Sequence, residues 1–334
     1  MTAVLIPTAS EAEWLDARRK GITASEIAVV MGLSPYSSPY ALYHQKLGNL
    51  DGPEDSEAMA LGRYLEQYVC DRFAAQHPEF AVTGDGRKLY AHPERSWQLA
   101  TPDRLLMECG GWVDDDGNAQ YPGLLAVLEA KTAAGYDGWG DDGTDEIPVH
   151  YRCQVLWQMD VMGVSTAFVA CLFLHTRQLR IYEIGHADGC GADCNMLAYP
   201  SLACPACDDI AIMRDAAAEF LDRIKREDPP DVDWRPATID ALKVLHPSVE
   251  DADALVSRQL AARYHAACRN HKHWEQRKKT YEAHLRERMG SARRAVEVRT
   301  GETIARRDVF EQREHVRKAT TVDKLVPVYP KESK

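Results

Sequence analysis

GLLAVLEAKTAAGYDGW, residues 123–139, is the stretch from which the rest of the chain is read. Leu124, Leu125, Ala126, Val127 and Leu128 form an apolar run between Gly123 and a glycine-rich segment, the pattern of a buried strand. Successive side chains of a strand turn to opposite faces, so residues two apart share a face. Glu129 and Lys131 therefore lie side by side, a carboxylate and an ammonium where the strand leaves the core. An exposed ion pair at a strand end would read the same way, so the pair gains meaning only from its surroundings.

Upstream, LATPDRLLM (99–107) places Asp103 after a proline at a strand boundary. An Asp followed by Glu-x-Lys on a neighbouring strand suits metal-dependent phosphodiester hydrolysis. That reaction needs a hard cation such as Mg²⁺ to polarise the phosphoryl oxygen and acidify the attacking water. Magnesium takes oxygen ligands and keeps several waters, so two carboxylates and a main-chain carbonyl are enough. A lysine beside them orients or deprotonates the water and offsets developing negative charge.

The 334 residues allow one sizeable α/β domain with an appendage, or two ordinary domains. With 45% hydrophobic and 27% charged residues, the composition is that of a soluble globular protein. There is no apolar run of about 20 residues and no basic-then-apolar leader, so no membrane span is expected and the location is read as cytoplasmic, in a bacterial or phage-infected cell. The net charge of −11 is unevenly spread: from Val256 onward there are 20 of the 40 basic residues but only 10 of the 51 acidic ones. An acidic body with a basic C-terminal quarter suits a protein that holds a divalent metal in one place and contacts phosphate in another.

Capping boxes at Ser10/Glu13 and Thr23/Glu26 predict two short helices ending near Gly21 and Gly32. A third is expected from Ser38 and Pro39 to Gly48, and a longer one from about Ser56 to His77. Short strands are predicted at 88–91, 98–101 and 104–108, before the strand first quoted. A helix from Pro148 then leads to strands STAFVACLF (165–173) and QLRIYEI (178–184), and a helix spans about Asp208 to Arg226. EDPPDVDWRP (227–236) has the composition of a linker, and beyond it lie a polar helix from about Val249 to Met289 and a hairpin within 293–310. The fold class expected is α/β (α+β), with a mixed sheet flanked by helices.

Five segments occur in order: EWLDARRKGITASEIAVVMGLSPYSSPYALYHQKLG (13–48), LGRYLEQYV (61–69), LATPDRL (99–105), LEAKT (128–132) and IPVHYRCQVLWQMDVMG (147–163). Together they resemble the lambda-exonuclease and YqaJ-like viral recombinase family, a branch of the PD-(D/E)XK nucleases, over roughly residues 11–226. The resemblance implies a restriction-endonuclease-like core occupying 1–227, followed here by a linker at 228–236 and a basic helical extension at 237–334. It also implies that Asp103, Glu129 and Glu66 are metal-binding carboxylates, with the Ala130 carbonyl as a further ligand and Lys131 as the catalytic lysine. Gln154, with Tyr151 one turn earlier, resembles the glutamine motif that helps place the scissile strand. Arg18 and Ser25 match the family's arginine and serine that hold a terminal 5′-phosphate. Ser25 in a first helical turn suits that role, because free N–H groups there attract an anion.

The activity implied is that of a Mg²⁺- or Mn²⁺-dependent DNA exonuclease acting on duplex ends. It would degrade the 5′-ended strand and leave 3′ single strand for an annealing protein, and some family members form homo-oligomeric rings. The alternatives are an endonuclease of the same fold in defence or repair, and a non-catalytic DNA-end-binding adaptor. Two features depart from the family pattern. ECGGWVDDDGNAQYPG (108–123) stretches the spacing between Asp103 and Glu129, and the loop at 190–207 carries Cys190, Cys194, Cys204 and Cys207. Clustered cysteines in a reducing compartment favour metal over a disulfide, so one tetrahedral structural Zn²⁺ is expected there, with a metal-free loop as the alternative.

Overall fold

A computed structural model describes residues 3–52, 55–109, 112–113, 119–120, 123–186, 204–248, 251 and 253–308. Its contacts divide the chain into two compact units, Met1–Val249 and Glu250–Lys334. In the first unit, β1 (Val4–Ile6), α1 (Glu11–Arg19), β2 (Ile22–Thr23), α2 (Ala24–Val30) and α3 (Pro39–Lys46) precede the long helix α4 (Glu57–Gln76). Next come β3 (Phe80–Thr83), β4 (Leu89–Ala91), β5 (Gln98–Ala100), β6 (Arg104–Glu108), the short strands β7 (Trp112–Val113) and β8 (Ala119–Gln120), and β9 (Leu124–Ala133). The unit closes with α5 (Val149–Met162), β10 (Thr166–Phe173), β11 (Gln178–Gly185), α6 (Pro205–Lys225) and α7 (Pro236–Leu245).

The predicted caps define the helix starts. Ser10, Ser38 and Ser56 each accept from the amide three residues on, and Thr23 N donates to Glu26 Oε2 at 2.9 Å. The central sheet has the order β11-β10-β9-β6-β3 and is mixed: β9 and β10 run parallel, and the other neighbours are antiparallel. Along β10, Ala167, Val169, Cys171 and Phe173 pack into the larger core with α5 and α6, whereas Phe168, Ala170 and Leu172 pack toward Val69, Cys70 and Phe73 of α4. Both faces of this strand are covered, which accounts for its unbroken apolar sequence.

β9 has the same alternation. Val127 faces the α5 side, while Ala126 and Leu128 face α4, so Glu129 and Lys131 turn toward α5. The strand also extends beyond its apolar run. β10 pairs with it as far as Phe173↔Ala133, so the Glu129–Lys131 pair lies inside the strand rather than at its end.

The strands predicted at 88–91 and 98–101 separate from the central sheet. They form a second, four-stranded sheet of order β1-β4-β5-β2 with two N-terminal strands too short to leave a periodic signal. Gly21 makes that pairing fit: a Cβ there would lie 2.1 Å from the Trp97 carbonyl, which accepts the Ile22 amide at 2.8 Å. Trp157 of α5 joins this sheet from behind, its Nε1 donating to the carbonyls of Ile22 and Leu99 at 3.3 and 3.2 Å. Beyond the linker-like segment, α7 packs Ala241 against Ala41 and Leu50 in a small core of its own.

The second unit contains α8 (Arg258–Met289) and a hairpin of β12 (Arg294–Val296) and β13 (Thr303–Arg306). α8 has no buried residue and is supported along its surface by i,i+4 pairs such as Glu275–Lys279 at 3.0 Å. Among the described residues, no helix is long and apolar enough to cross a membrane.

Candidate active site

Antiparallel pairing of Arg104 with Leu128 sets Asp103 beside Glu129, and the Ala130 amide donates to Asp103 Oδ2 at 2.8 Å. Glu129 is 3% exposed, a charge that must be compensated where it lies. Its Oε1 accepts from Lys131 Nζ and Gln154 Nε2, and its Oε2 accepts from Gln158 Nε2 at 2.7 Å. The two glutamines are one turn apart on α5 and present their amides along one helix face. Lys131 Nζ also lies 5.0 Å from the centre of the Tyr151 ring.

Glu66 approaches from α4. Its Oε1 accepts from Arg104 Nη1 at 2.9 Å, and Arg104 also donates to the Asp103 carbonyl at 2.6 Å and to Gln67 Oε1 at 2.8 Å. Gly86 passes close by with φ +70°, and a Cβ on it would meet Glu66 Oε1 at 3.2 Å. A side chain there would be strained by its backbone and would crowd the carboxylate.

The charges in this cluster do not balance. Asp103 is pushed well above the ordinary carboxylate range, first by burial and then by Glu129 and Glu66, against the pull of Lys131. Burial works to lower the Lys131 pKa, but Glu129 and Asp103 outweigh it and hold the ammonium above its usual value. Three carboxylates, Asp103, Glu129 and Glu66, meet the two cations Lys131 and Arg104 here, which leaves an excess of oxygen donors. Hard oxygen donors in that state fit a divalent cation such as Mg²⁺. A cation would compete with Lys131 and Gln154 for Glu129 Oε1.

Arg18 and Ser25 meet at the other predicted position. Arg18 Nη2 donates to Ser25 Oγ at 3.2 Å and reaches Thr23 Oγ1 at 3.4 Å, and its guanidinium covers the Trp14 ring at 4.4 Å. Burial lowers the Arg18 pKa, and Glu26 partly offsets it. Lys46 fixes the base of this corner: Nζ donates to the carbonyls of Arg18 and Gly21 at 2.8 and 2.6 Å and to Glu26 Oε2 at 2.7 Å.

Of the four cysteines, Cys190 and Cys194 lie outside the described residues. Cys204, the N-cap of α6, and Cys207 in its first turn lie beside His186, whose Nδ1 is 3.6 Å and 3.2 Å from their respective sulfurs.

Sequence reasoning passed over Arg104, Gln158, Lys46 and His186. Gln158 carried a usable signal, since it repeats Gln154 at helical spacing. Arg104, Lys46 and His186 had none, because their partners come from distant segments.

Residues 13–165 match the family model of the YqaJ-like viral recombinase domain, and the matched segment contains Arg18, Ser25, Glu66, Asp103, Glu129, Lys131, Tyr151 and Gln154. The resemblance read from the motifs is thereby borne out. Among curated proteins the chain is similar to the uncharacterized protein YqaJ of Bacillus subtilis (strain 168), 31% identical over 157 residues, which is 46% of this chain and 43% of that protein. The chain thus matches less than half the length of that relative. Among solved structures it is similar to an alkaline exonuclease (LHK-Exo) from Laribacter hongkongensis, at 21% identity and a TM-score of 0.43, covering 65% of this chain and 93% of that one. A second structure of LHK-Exo, in complex with dAMP, gives 20% identity and a TM-score of 0.44 over 70% and 96% of the two chains.

Proposed function

We propose that this chain is a Mg²⁺- or Mn²⁺-dependent deoxyribonuclease that digests the 5′-ended strand of linear duplex DNA and leaves 3′ single strand for an annealing protein. The observation that carries this reading is the shared strand edge of Asp103, Glu129 and Lys131, where buried carboxylates outnumber the cations that face them. The family match of residues 13–165 supports it.

In this reading Asp103, Glu129 and Glu66 hold the cation, with the Ala130 carbonyl as a further ligand. The bound cation would polarise the phosphoryl oxygen and lower the pKa of the attacking water. Lys131, held as an ammonium by its neighbours, orients that water and faces the charge that develops on the phosphoryl group. Gln154 and Gln158 keep the Glu129 carboxylate at a fixed angle, and Tyr151 packs beside the lysine. Arg18 and Ser25 grip a terminal 5′-phosphate, which offers a guanidinium more charge and more acceptor oxygens than an internal diester does. A homo-oligomeric ring around the duplex would add processivity.

The test is a time course with Mg²⁺ on matched linear duplexes ending in 5′-phosphate or 5′-hydroxyl, run beside a covalently closed circle and a chelator control. Faster loss of the phosphorylated ends, with the circle spared, is the outcome expected. Rapid cutting of the circle would replace the exonuclease with an internal cutter. Tight end binding without digestion under any divalent metal would replace it with an adaptor.

A further inference from the structure

We infer that His186, Cys204 and Cys207 form a zinc site in which His186 takes a place that sequence spacing alone gives to a cysteine. The inference is independent of the nuclease reading, since it concerns the junction between β11 and α6. His186 follows the last residue of β11 and is held in place by its own amide, which donates to the Ser165 carbonyl at 3.1 Å. Cys204 and Cys207 belong to the start of α6, where the Cys207 amide donates to the Cys204 carbonyl at 3.0 Å. Thus two rigid elements, separated by 17 residues of sequence, bring one imidazole nitrogen and two sulfurs within 4.8 Å of one another.

The geometry suits zinc in particular. Zn–S bonds of about 2.3 Å and Zn–N bonds of about 2.0–2.1 Å at tetrahedral angles put nitrogen and sulfur about 3.6 Å apart. The observed separations from His186 Nδ1 are 3.2 Å and 3.6 Å. Thiolate and imidazole together favour zinc over the hard cations that suit the carboxylate cluster. Binding would ionise both thiols and release two protons, and the two thiolates would neutralise the metal's charge while the imidazole stays neutral. Cys204 is 3% exposed and packs with Ala206 and Ile210 into the larger core, so the metal would fix the start of α6 to the end of β11 from inside the fold.

Full-length wild-type protein, purified without added metal, should contain one zinc per chain. In competition with a chromophoric chelator, Cys207→Ser and His186→Ala should weaken zinc by at least about 100-fold, beyond the range that outer-shell partners account for. His186→Cys should restore binding, and in the cobalt-substituted protein it should intensify the sulfur-to-metal absorption by adding a thiolate. The rescue separates a ligand from a residue that merely supports folding. Zinc retained at wild-type affinity in His186→Ala, but lost in each of Cys190→Ser and Cys194→Ser, would return the site to four cysteines and overturn the assignment. So would wild-type protein that holds no zinc and shows two fewer titratable thiols than its sequence, the result expected of a disulfide.

Discussion

Arg104 ties the strand that follows Asp103 to the helix that carries Glu66, donating to the Asp103 carbonyl at 2.6 Å and to Glu66 Oε1 at 2.9 Å. One guanidinium therefore sets the spacing between two of the carboxylates assigned to the metal. The Arg104 side chain is 7% exposed and that of Glu66 28%, so the pair is only partly desolvated. Arg104→Met should cost about 2 kcal/mol, less than the 3–5 of a fully buried pair. The denaturation midpoint reads that loss. The variant should also need more Mg²⁺ for half-maximal cleavage, because Glu66 is then free to swing. Unchanged stability and an unchanged Mg²⁺ requirement would show that Arg104 does not position the carboxylate.

Glu129 and Lys131 are adjacent, but they should fail differently. Glu129→Gln removes one of the proposed metal ligands, so both metal affinity and rate should fall, the rate by about 10²-fold or more. Lys131→Met removes the cation that competes for Glu129 Oε1, so the rate should fall while Mg²⁺ binds more tightly. Calorimetric titration beside single-turnover rates separates the two. Equal losses of affinity in both variants would contradict the division of labour.

The Arg18 corner makes a graded prediction. Arg18→Ala should narrow the preference for 5′-phosphorylated ends by slowing that substrate, since a charge-assisted hydrogen bond contributes about 1.5–3 kcal/mol. Lys46 makes no hydrogen bond to Ser25 or to a side chain assigned to DNA, yet it holds the Arg18 main-chain carbonyl. Lys46→Met should therefore narrow the same preference while leaving hydroxyl-ended duplex almost unaffected. Rates on the paired substrates decide whether that corner is built in advance.

Asp160 offers a pH test away from the carboxylate cluster. Burial works to raise its pKa, but hydrogen bonds from Arg214 and Gln98, with the charges of Arg214 and Arg95, hold it below the ordinary carboxylate value. A depressed folded pKa contributes stability at pH above the unfolded value and loses it as pH falls through the folded one. Acid should therefore destabilise the wild type through that interval, and Asp160→Asn should flatten the fall at the expense of stability near neutrality. Urea midpoints from pH 7 down to pH 3 measure it, and parallel curves for the two proteins would refute it.

The site was legible where chemistry and chain neighbourhood coincide. Glu129 and Lys131 reveal each other by period-two spacing, Asp103 by its strand boundary, and Ser10, Thr23, Ser38 and Ser56 by their caps. The second sheet was not legible, because β1 and β2 are three and two residues long and gain their pairing from β4 and β5. Glu129 looked like the last residue before solvent because apolar residues stop at Leu128. The parallel partner β10 and the amides of α5 are what bury it, and neither adjoins it in sequence. Arg104 shows the same limit, since a charge one step along a strand reads as surface until Glu66 and Gln67 are seen above it.

α5 carries these attachments in three directions within seven residues. Gln154 and Gln158 bond Glu129, Trp157 bonds the carbonyls of Ile22 and Leu99, and Asp160 bonds Gln98 and Arg214. A helix advances about 100° per residue, so the three sets stay aligned only while the count between them is kept. A substitution in this segment detaches one anchor at a time. A single inserted or deleted residue between Gln154 and Asp160 turns one set of anchors away from its partners while leaving every side chain chemically intact. Variation in length has room only outside that interval, in the turn before Pro148 or after Gly163, and α5 is therefore the element whose residue count, more than its composition, the site depends on.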